Sequence, residues 1–309
     1  MRWQPVLLTA GGIGVTLLCL LGGSWLGPLG AALNLLTPMA AAYLSMRFGL
    51  RAGIIVVAVV SLLLLQMGPL YTLTAYLGLF GTGSLLLPWL LKLGQSWDRA
   101  VFLSVAGAVA VTGLLAVVAL LTSKGGFDQL VGQVIQTEVD QAMHIYRQAG
   151  VTGAKLKELQ QVVDGLADFI RQNFYGLYVA GVLVVQLLSL VLLQGLKRND
   201  YRIPGVPFSC WHLPAVLIWV LIVAGFFMLL PVAQLTLVGR NLLAVLLPLY
   251  FVQGLAVVSN FLQRKAYPPA VKGLIYTVLV IFNPLPLLIT GVGIFDLWID
   301  FRRPRNKDK

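Results

Sequence analysis

Charge is what this sequence has least of: 11% of its 309 residues are Asp, Glu, Lys or Arg, against about 25% in soluble domains. A water-soluble fold of this length needs more charge than that to cover its surface. A bilayer removes the need, because lipid tails face apolar side chains directly. The two soluble domains that length alone suggests are thereby excluded. Cysteine is nearly absent. Cys19 lies in an apolar run and Cys210 in a polar loop, so neither a disulfide framework nor a CxxC metal pattern is available. Both read as free thiols. Histidine is limited to His144 and His212. The chain holds no HExxH, no GxSxG, no Walker A sequence and no pair of aspartates inside an apolar run. Gly291-Val292-Gly293-Ile294-Phe295-Asp296 superficially suggests a GxGD-type protease, but the spacing is wrong and a second aspartate is lacking. These absences leave no expectation of an enzyme, a metal site or a cofactor.

What is present is hydrophobic: 59% of the residues, with a net charge of +11. On a soluble protein that charge would suggest nucleic acid. Here Lys and Arg sit in short clusters between apolar stretches, as the positive-inside rule requires. The expected partner is the lipid bilayer, and nucleic acid is not expected.

The gaps between charges mark the spans. No charged residue lies between Arg2 and Arg47, or between Arg51 and Lys92. Each gap fits two helices of about 20 residues, divided near Gly27-Pro28 and near Met67-Gly68-Pro69. The first run follows Arg2 as a signal peptide would, but apolar segments continue at once, so an uncleaved span is expected. A fifth span covers about 100–122. The character then changes. Residues 124–171 carry five basic and six acidic residues. Phe127, Leu130, Val131, Val134, Ile135, Val139, Ala142 and Tyr146 recur near the helical period, and so do Leu156, Leu159, Val162, Val163, Leu166, Phe169 and Ile170. Gly150 and Gly153 mark a turn between them. This predicts an amphipathic helical hairpin on the membrane or against the span ends. Further spans are expected at about 174–196, 212–232 and 241–263, with a last apolar segment at 273–295. The fold class is therefore all-α, a polytopic transmembrane bundle of eight or nine spans with a short amphipathic insert. Its organisation reads as an N-terminal block of five spans (1–123), the insert (124–171), and a C-terminal block of three or four spans with a basic tail (172–309).

With the N-terminus cytoplasmic, the basic clusters at 47–51, 92–99, 197–202 and 264–272 all fall inside and the insert falls outside. The expected location is a bacterial inner (plasma) membrane. The tail is the exception, because nine full spans would put its basic residues outside. Asn283-Pro284-Leu285-Pro286 interrupts the last segment, and proline there removes backbone donors. A re-entrant last segment would return the tail to the cytoplasm.

Charged residues are almost absent from the spans; Arg240 falls at a loop, and Asp296 ends the last segment, where it can pair with Arg302 or Arg303 as an anchor. Uncharged polar groups are commoner. Asn34, Thr37, Gln186, Gln253, Asn260 and Asn283 lie in apolar segments. Such groups hydrogen-bond between helices or, if they converge on one cavity, bind a neutral or zwitterionic small molecule. Ala10 and Gly14 form a small-xxx-small pair on the first span, which packs within the chain or docks a membrane protein partner.

The loop before the seventh segment is distinctive: Arg202, Pro204, Phe208, Trp211 and Pro214 punctuate thirteen residues. Its prolines stiffen the chain and Pro214 suits the first turn of a helix. Together with Asp296 and Arg302 near the C-terminus, and the acidic, Tyr-containing stretch 138–150, this pattern resembles the YybS-like family of uncharacterised bacterial membrane proteins. That resemblance covers nearly the whole chain and implies no established activity. The first six spans, charge-poor and Gly-rich, are more distantly similar to the substrate-binding subunits of energy-coupling-factor vitamin transporters. Those subunits dock a shared coupling protein through small residues on the first span, where Ala10 and Gly14 stand here. The three extra apolar segments and the insert depart from that pattern. The functional expectation is a small-solute-binding or transport-associated membrane subunit without its own ATPase, and the alternative is a scaffold protein of the cell envelope or division machinery.

Overall fold

A backbone surrounded by hydrocarbon must satisfy its own N–H and C=O groups, and a chain of uncharged Leu, Val, Ala and Gly runs does so as helices. The computed structural model describes residues 4–25, 28–68, 70–122, 127–196, 201–265 and 267–303. Gly27, Pro69, the start of the insert, Lys197, Arg198 and the last six tail residues lie outside them, together with the expectations placed on them. Every apolar segment read from the sequence is helical, and no strand occurs among the described residues. The chain divides into two compact units, Met1–Ala167 with Gly181–Gly205, and Asp168–Ala180 with Val206–Lys309.

The first unit begins with α1 (Gln4–Trp25), α2 (Pro28–Asn34) and α3 (Met39–Phe48). The second expected span is therefore broken. Pro38 has no N–H to donate, and the backbone passes 34–39 through short-range turn bonds such as Thr37 N to Asn34 O (3.1 Å) before α3 starts. Then come α4 (Leu50–Met67), α5 (Leu70–Tyr76), a π-helical turn (Leu77–Gly81), α6 (Thr82–Lys92), α7 (Trp97–Thr122) and the insert helix α8 (Phe127–Gln148). The core of this unit gathers Val56, Val57, Val60 and Leu64 of α4 against Ala41 and Leu44 of α3 and Tyr76 of α5, with Ile13, Leu17 and Leu20 of α1 beside them. Helix α9 (Gly153–Leu196) follows a turn that Gly150 and Gly153 make with positive φ. The second insert helix and the sixth span are one uninterrupted helix of 44 residues, about 66 Å long.

The second unit contains the middle of α9, then α10 (Leu217–Leu229), α11 (Ala233–Arg264), α12 (Pro269–Ile281) and α13 (Leu285–Ile299). Arg240, expected in a loop, lies within α11 and donates to Gln172 Oε1 at 2.6 Å. Asn241 Oδ1 accepts from Gly176 N at 2.7 Å. These bonds fix α11 to α9.

Six helices are long and apolar enough to cross a membrane among the described residues, or seven if α12 and α13 are one span. The difference from eight or nine segments lies in particular residues. The second segment is broken at Pro38. The seventh, α10, has 13 residues, about 20 Å, against a hydrocarbon core of about 30 Å. The last is interrupted where expected: α12 and α13 meet at 101° across the Asn283-Pro284 break.

Candidate functional site

In the C-terminal unit, α11 presents Gln253, Val257, Asn260 and Arg264 at helical spacing, so they share one face. Two glycines let α13 come close to the same helix. A Cβ on Gly254 would collide with the main-chain carbonyl of Ile289, and one on Gly293 with that of Tyr250. Any larger residue would push the helices apart. Ile218 of α10 packs with Leu246 and Tyr250 behind this contact.

The Pro-punctuated loop runs beside the last turns of α11 as irregular backbone around a single 3-10 turn at Phe208–Cys210. Buried main-chain groups outside a regular helix need partners from elsewhere in the protein. Three polar side chains supply them. Asn260 Nδ2 donates to Ser209 O (3.4 Å), and Gln253 Oε1 accepts from Leu213 N (3.0 Å). Arg302 Nη1 donates to Ser209 O (3.2 Å) and to Trp211 O (2.6 Å). Ser209 Oγ adds a bond to Gln263 Oε1 at 2.9 Å. Arg302 is a buried cation, and its charge is matched by Asp296, whose Oδ2 lies 2.8 Å from Nη2. Gln253 Nε2 donates to the same oxygen at 3.4 Å. Asp296 Oδ1 and Arg302 Nε make no hydrogen bond. The half-exposed ring of His212 has Nε2 3.8 Å from Asp296 Oδ2. Asp300, in the left-handed conformation, ends α13 and turns 301–303 back towards α11. There Arg264 donates to the main-chain carbonyls of Arg302 and Arg303.

Beside this clasp a half-open cavity of about 350 Å³ lies between α11 and α13. Val257, Val258, Phe261, Val292 and Phe301 form apolar walls, and Asn260 and Arg264 supply the polar end. A second hollow of about 450 Å³ is formed by α8 alone, at Thr137, Asp140, Gln141, His144 and Ile145. No group of three metal-ligating side chains occurs among the described residues.

The structure brings together Gln253, Asn260, Asp296, Arg302 and the main chain at Trp211, with Phe208 and Pro214 in the same loop. Arg302, rather than Arg303, pairs with Asp296; Arg303 pairs with Asp300. Arg202 is exposed and belongs to the first unit, as does Pro204, whose carbonyl accepts from Trp97 N at 2.9 Å. Asn283 is exposed at the α12–α13 break. Asn34, Thr37 and Gln186 also belong to the first unit, each with buried polar atoms that make no hydrogen bond. Gln186 packs on Gly83. Ala10 and Gly14 are exposed on α1, and within the chain α1 packs through Gly12 against Leu44 and Val56. Sequence reasoning missed Ser209, Gln263, Arg264 and the five apolar walls. The signal was there: 257 is three and four residues from 260 and 261, and 264 is four and three residues from them, so each end of the set neighbours the middle on the helix surface.

No curated protein and no solved structure matches the chain. One family model does, over residues 14–297, and its description is "Predicted membrane protein (DUF2232)". That match spans α2 to α12 whole and the larger part of α1 and α13. With its long apolar helices, the chain is a multi-pass integral membrane protein and belongs to the DUF2232 family.

Proposed function

We propose that the protein is a membrane-embedded solute-binding subunit that relies on a partner protein for energy. The observation that carries this reading is the half-open cavity between α11 and α13, apolar on its walls and polar at one end. Small-molecule sites combine those features. The interrupted α12–α13 pair supports it, since broken helices are where membrane transporters build their sites. The chain carries no Walker A sequence of its own, which is compatible with energy supplied by another chain. The similarity to energy-coupling-factor substrate subunits favours the same arrangement. In this reading the protein lies in a bacterial inner membrane with its N-terminus cytoplasmic, following the distribution of Lys and Arg.

Native mass spectrometry of the detergent-purified chain tests the proposal. A retained small molecule is expected on the wild-type protein and is expected to be lost on Val257→Trp, which fills the cavity. No retained mass on either protein, or the same mass on both, overturns it.

One observation favours the scaffold reading. Val162, Leu166 and Phe169 of α9 are 63%, 57% and 56% exposed and lie at helical spacing, an apolar stripe that a partner protein would cover. In-cell crosslinking from that stripe, followed by mass spectrometry, separates the readings: reproducible partners favour a scaffold, and their absence counts against it.

A further inference from the structure

We propose that the α11–α13 cavity takes an anionic amphiphile, with a phosphate-type head at Arg264 and Asn260 and an apolar chain along the walls. This rests on the cavity reading above and names its ligand class. The argument begins with charge. Among the described residues, Asp296 pairs with Arg302 and Asp300 with Arg303. Each pair cancels. Arg264 has no carboxylate partner among those residues; its two bonds go to main-chain carbonyls of the tail. Carbonyls satisfy donors but leave the positive charge in place. Lys265 adds a second cation, with its Nζ 4.8 Å from the ring centre of Phe261, a cavity wall. An anionic head complements this end, and a guanidinium with donors to spare forms strong charge-assisted bonds to phosphate oxygens.

The walls decide the rest of the ligand. Phe261 and Phe301 are 55% and 44% exposed beside Val257, Val258 and Val292. A free hydrophilic anion would leave these side chains uncovered, whereas an apolar chain covers them. The volume of about 350 Å³ is at the small end of the range for small-molecule sites. It takes a head and the start of a chain, and the open side lets the rest of the chain leave into lipid. A phospholipid of the bilayer and a free phosphate compound share the head chemistry and differ in the chain.

The test uses the full chain in neutral detergent and three probes: phosphatidylglycerol, phosphatidylcholine and inorganic phosphate. Native mass spectrometry reads retention. One phosphatidylglycerol per chain is expected, surviving collision energies that strip phosphatidylcholine. Arg264→Gln is expected to weaken that retention about tenfold, the effect of one lost charge-assisted contact. Arg264→Lys restores most of it, and Lys272→Gln, outside the cavity, leaves it unchanged. Val258→Phe, which narrows the cavity, weakens it as well. Equal retention of both lipids, or no effect of Arg264→Gln, overturns the anionic assignment; if Val258→Phe still blocks a ligand, the cavity reading survives. Inorganic phosphate that competes as well as the lipid overturns the apolar chain. Loss of all binding with a lowered melting temperature in Arg264→Gln but not in Arg264→Lys marks a folding role and counts against the proposal.

Discussion

Arg264, the last residue of α11, donates to the main-chain carbonyl of Arg302. Helix α12 starts at Pro269, five residues beyond Arg264. Both ends of the α12–α13 pair therefore lie at one end of α11. The helices have 13 and 15 residues, about 20 and 22 Å, each shorter than the hydrocarbon core. A pair that enters and leaves on one side puts Arg303 on the same side of the membrane as Arg264 and Lys265. In a background lacking Cys19 and Cys210, cysteines placed at Lys265 and Arg303 are expected to react with a membrane-impermeant maleimide from the same side. Labelling from opposite sides would show that the pair crosses the membrane.

The Asp296–Arg302 pair holds the loop as well as neutralising itself, because Arg302 also binds the carbonyls of Ser209 and Trp211. Removing one partner of a buried pair costs about 3–5 kcal/mol, since the other charge stays buried and unpaired. Arg302→Met is expected to lower the melting temperature sharply. Asp296→Asn combined with Arg302→Met is expected to recover part of the loss, though not the two carbonyl bonds. Thermal unfolding followed by tryptophan fluorescence measures this. A double variant no more stable than Arg302→Met would show that the charge of Asp296 is compensated elsewhere.

The membrane architecture was legible because charge gaps and hydropathy report it directly. The break at Asn283-Pro284 and the pairing of Asp296 with an Arg after it were legible for the same reason: proline chemistry and unpaired charge are local signals. Two features were not legible. The short α10 and the break at Pro38 occupy runs as apolar as any span, so composition cannot separate a half-length helix from a whole one. The cavity depends on which face of α11 meets α13, and that is set by Gly254 and Gly293, two glycines among 32. The polar residues Gln253 and Asn260 were singled out without their true partners. Those partners are main-chain atoms of a loop distant in sequence and, for Gln253, the carboxylate of Asp296 as well.

The same glycines give a sharper test of packing. A side chain at Gly254 or Gly293 meets backbone, which cannot swing aside as a flexible side chain can. Gly293→Ala is expected to destabilise by about 1–3 kcal/mol, the usual cost of overpacking. Gly291, two residues away on α13, meets nothing within 4 Å. Gly291→Ala is expected to be neutral or to stabilise by up to about 1 kcal/mol through helix propensity. Melting of the two variants side by side decides it, and equal effects would refute the close approach of α11 and α13.

Gln186 poses the opposite question in the first unit. Its side chain is fully buried, packs on Gly83, and has neither amide atom hydrogen-bonded. An unsatisfied buried polar group costs about 1–3 kcal/mol, so a structural role predicts that a similar apolar side chain is better tolerated. Gln186→Met is expected to raise the melting temperature. Gly83→Ala is expected to lower it, because the new Cβ collides with the Gln186 amide, and Gln186→Ala should relieve most of that loss. Coupling of neighbours in contact is typically 0.5–3 kcal/mol, roughly the scale of the effect. If Gln186→Met instead destabilises the protein, the amide has a partner worth more than its desolvation. If Gln186→Met stabilises the fold yet removes a retained small molecule, Gln186 holds a solute, and the neutral-ligand expectation for the spans belongs to this unit.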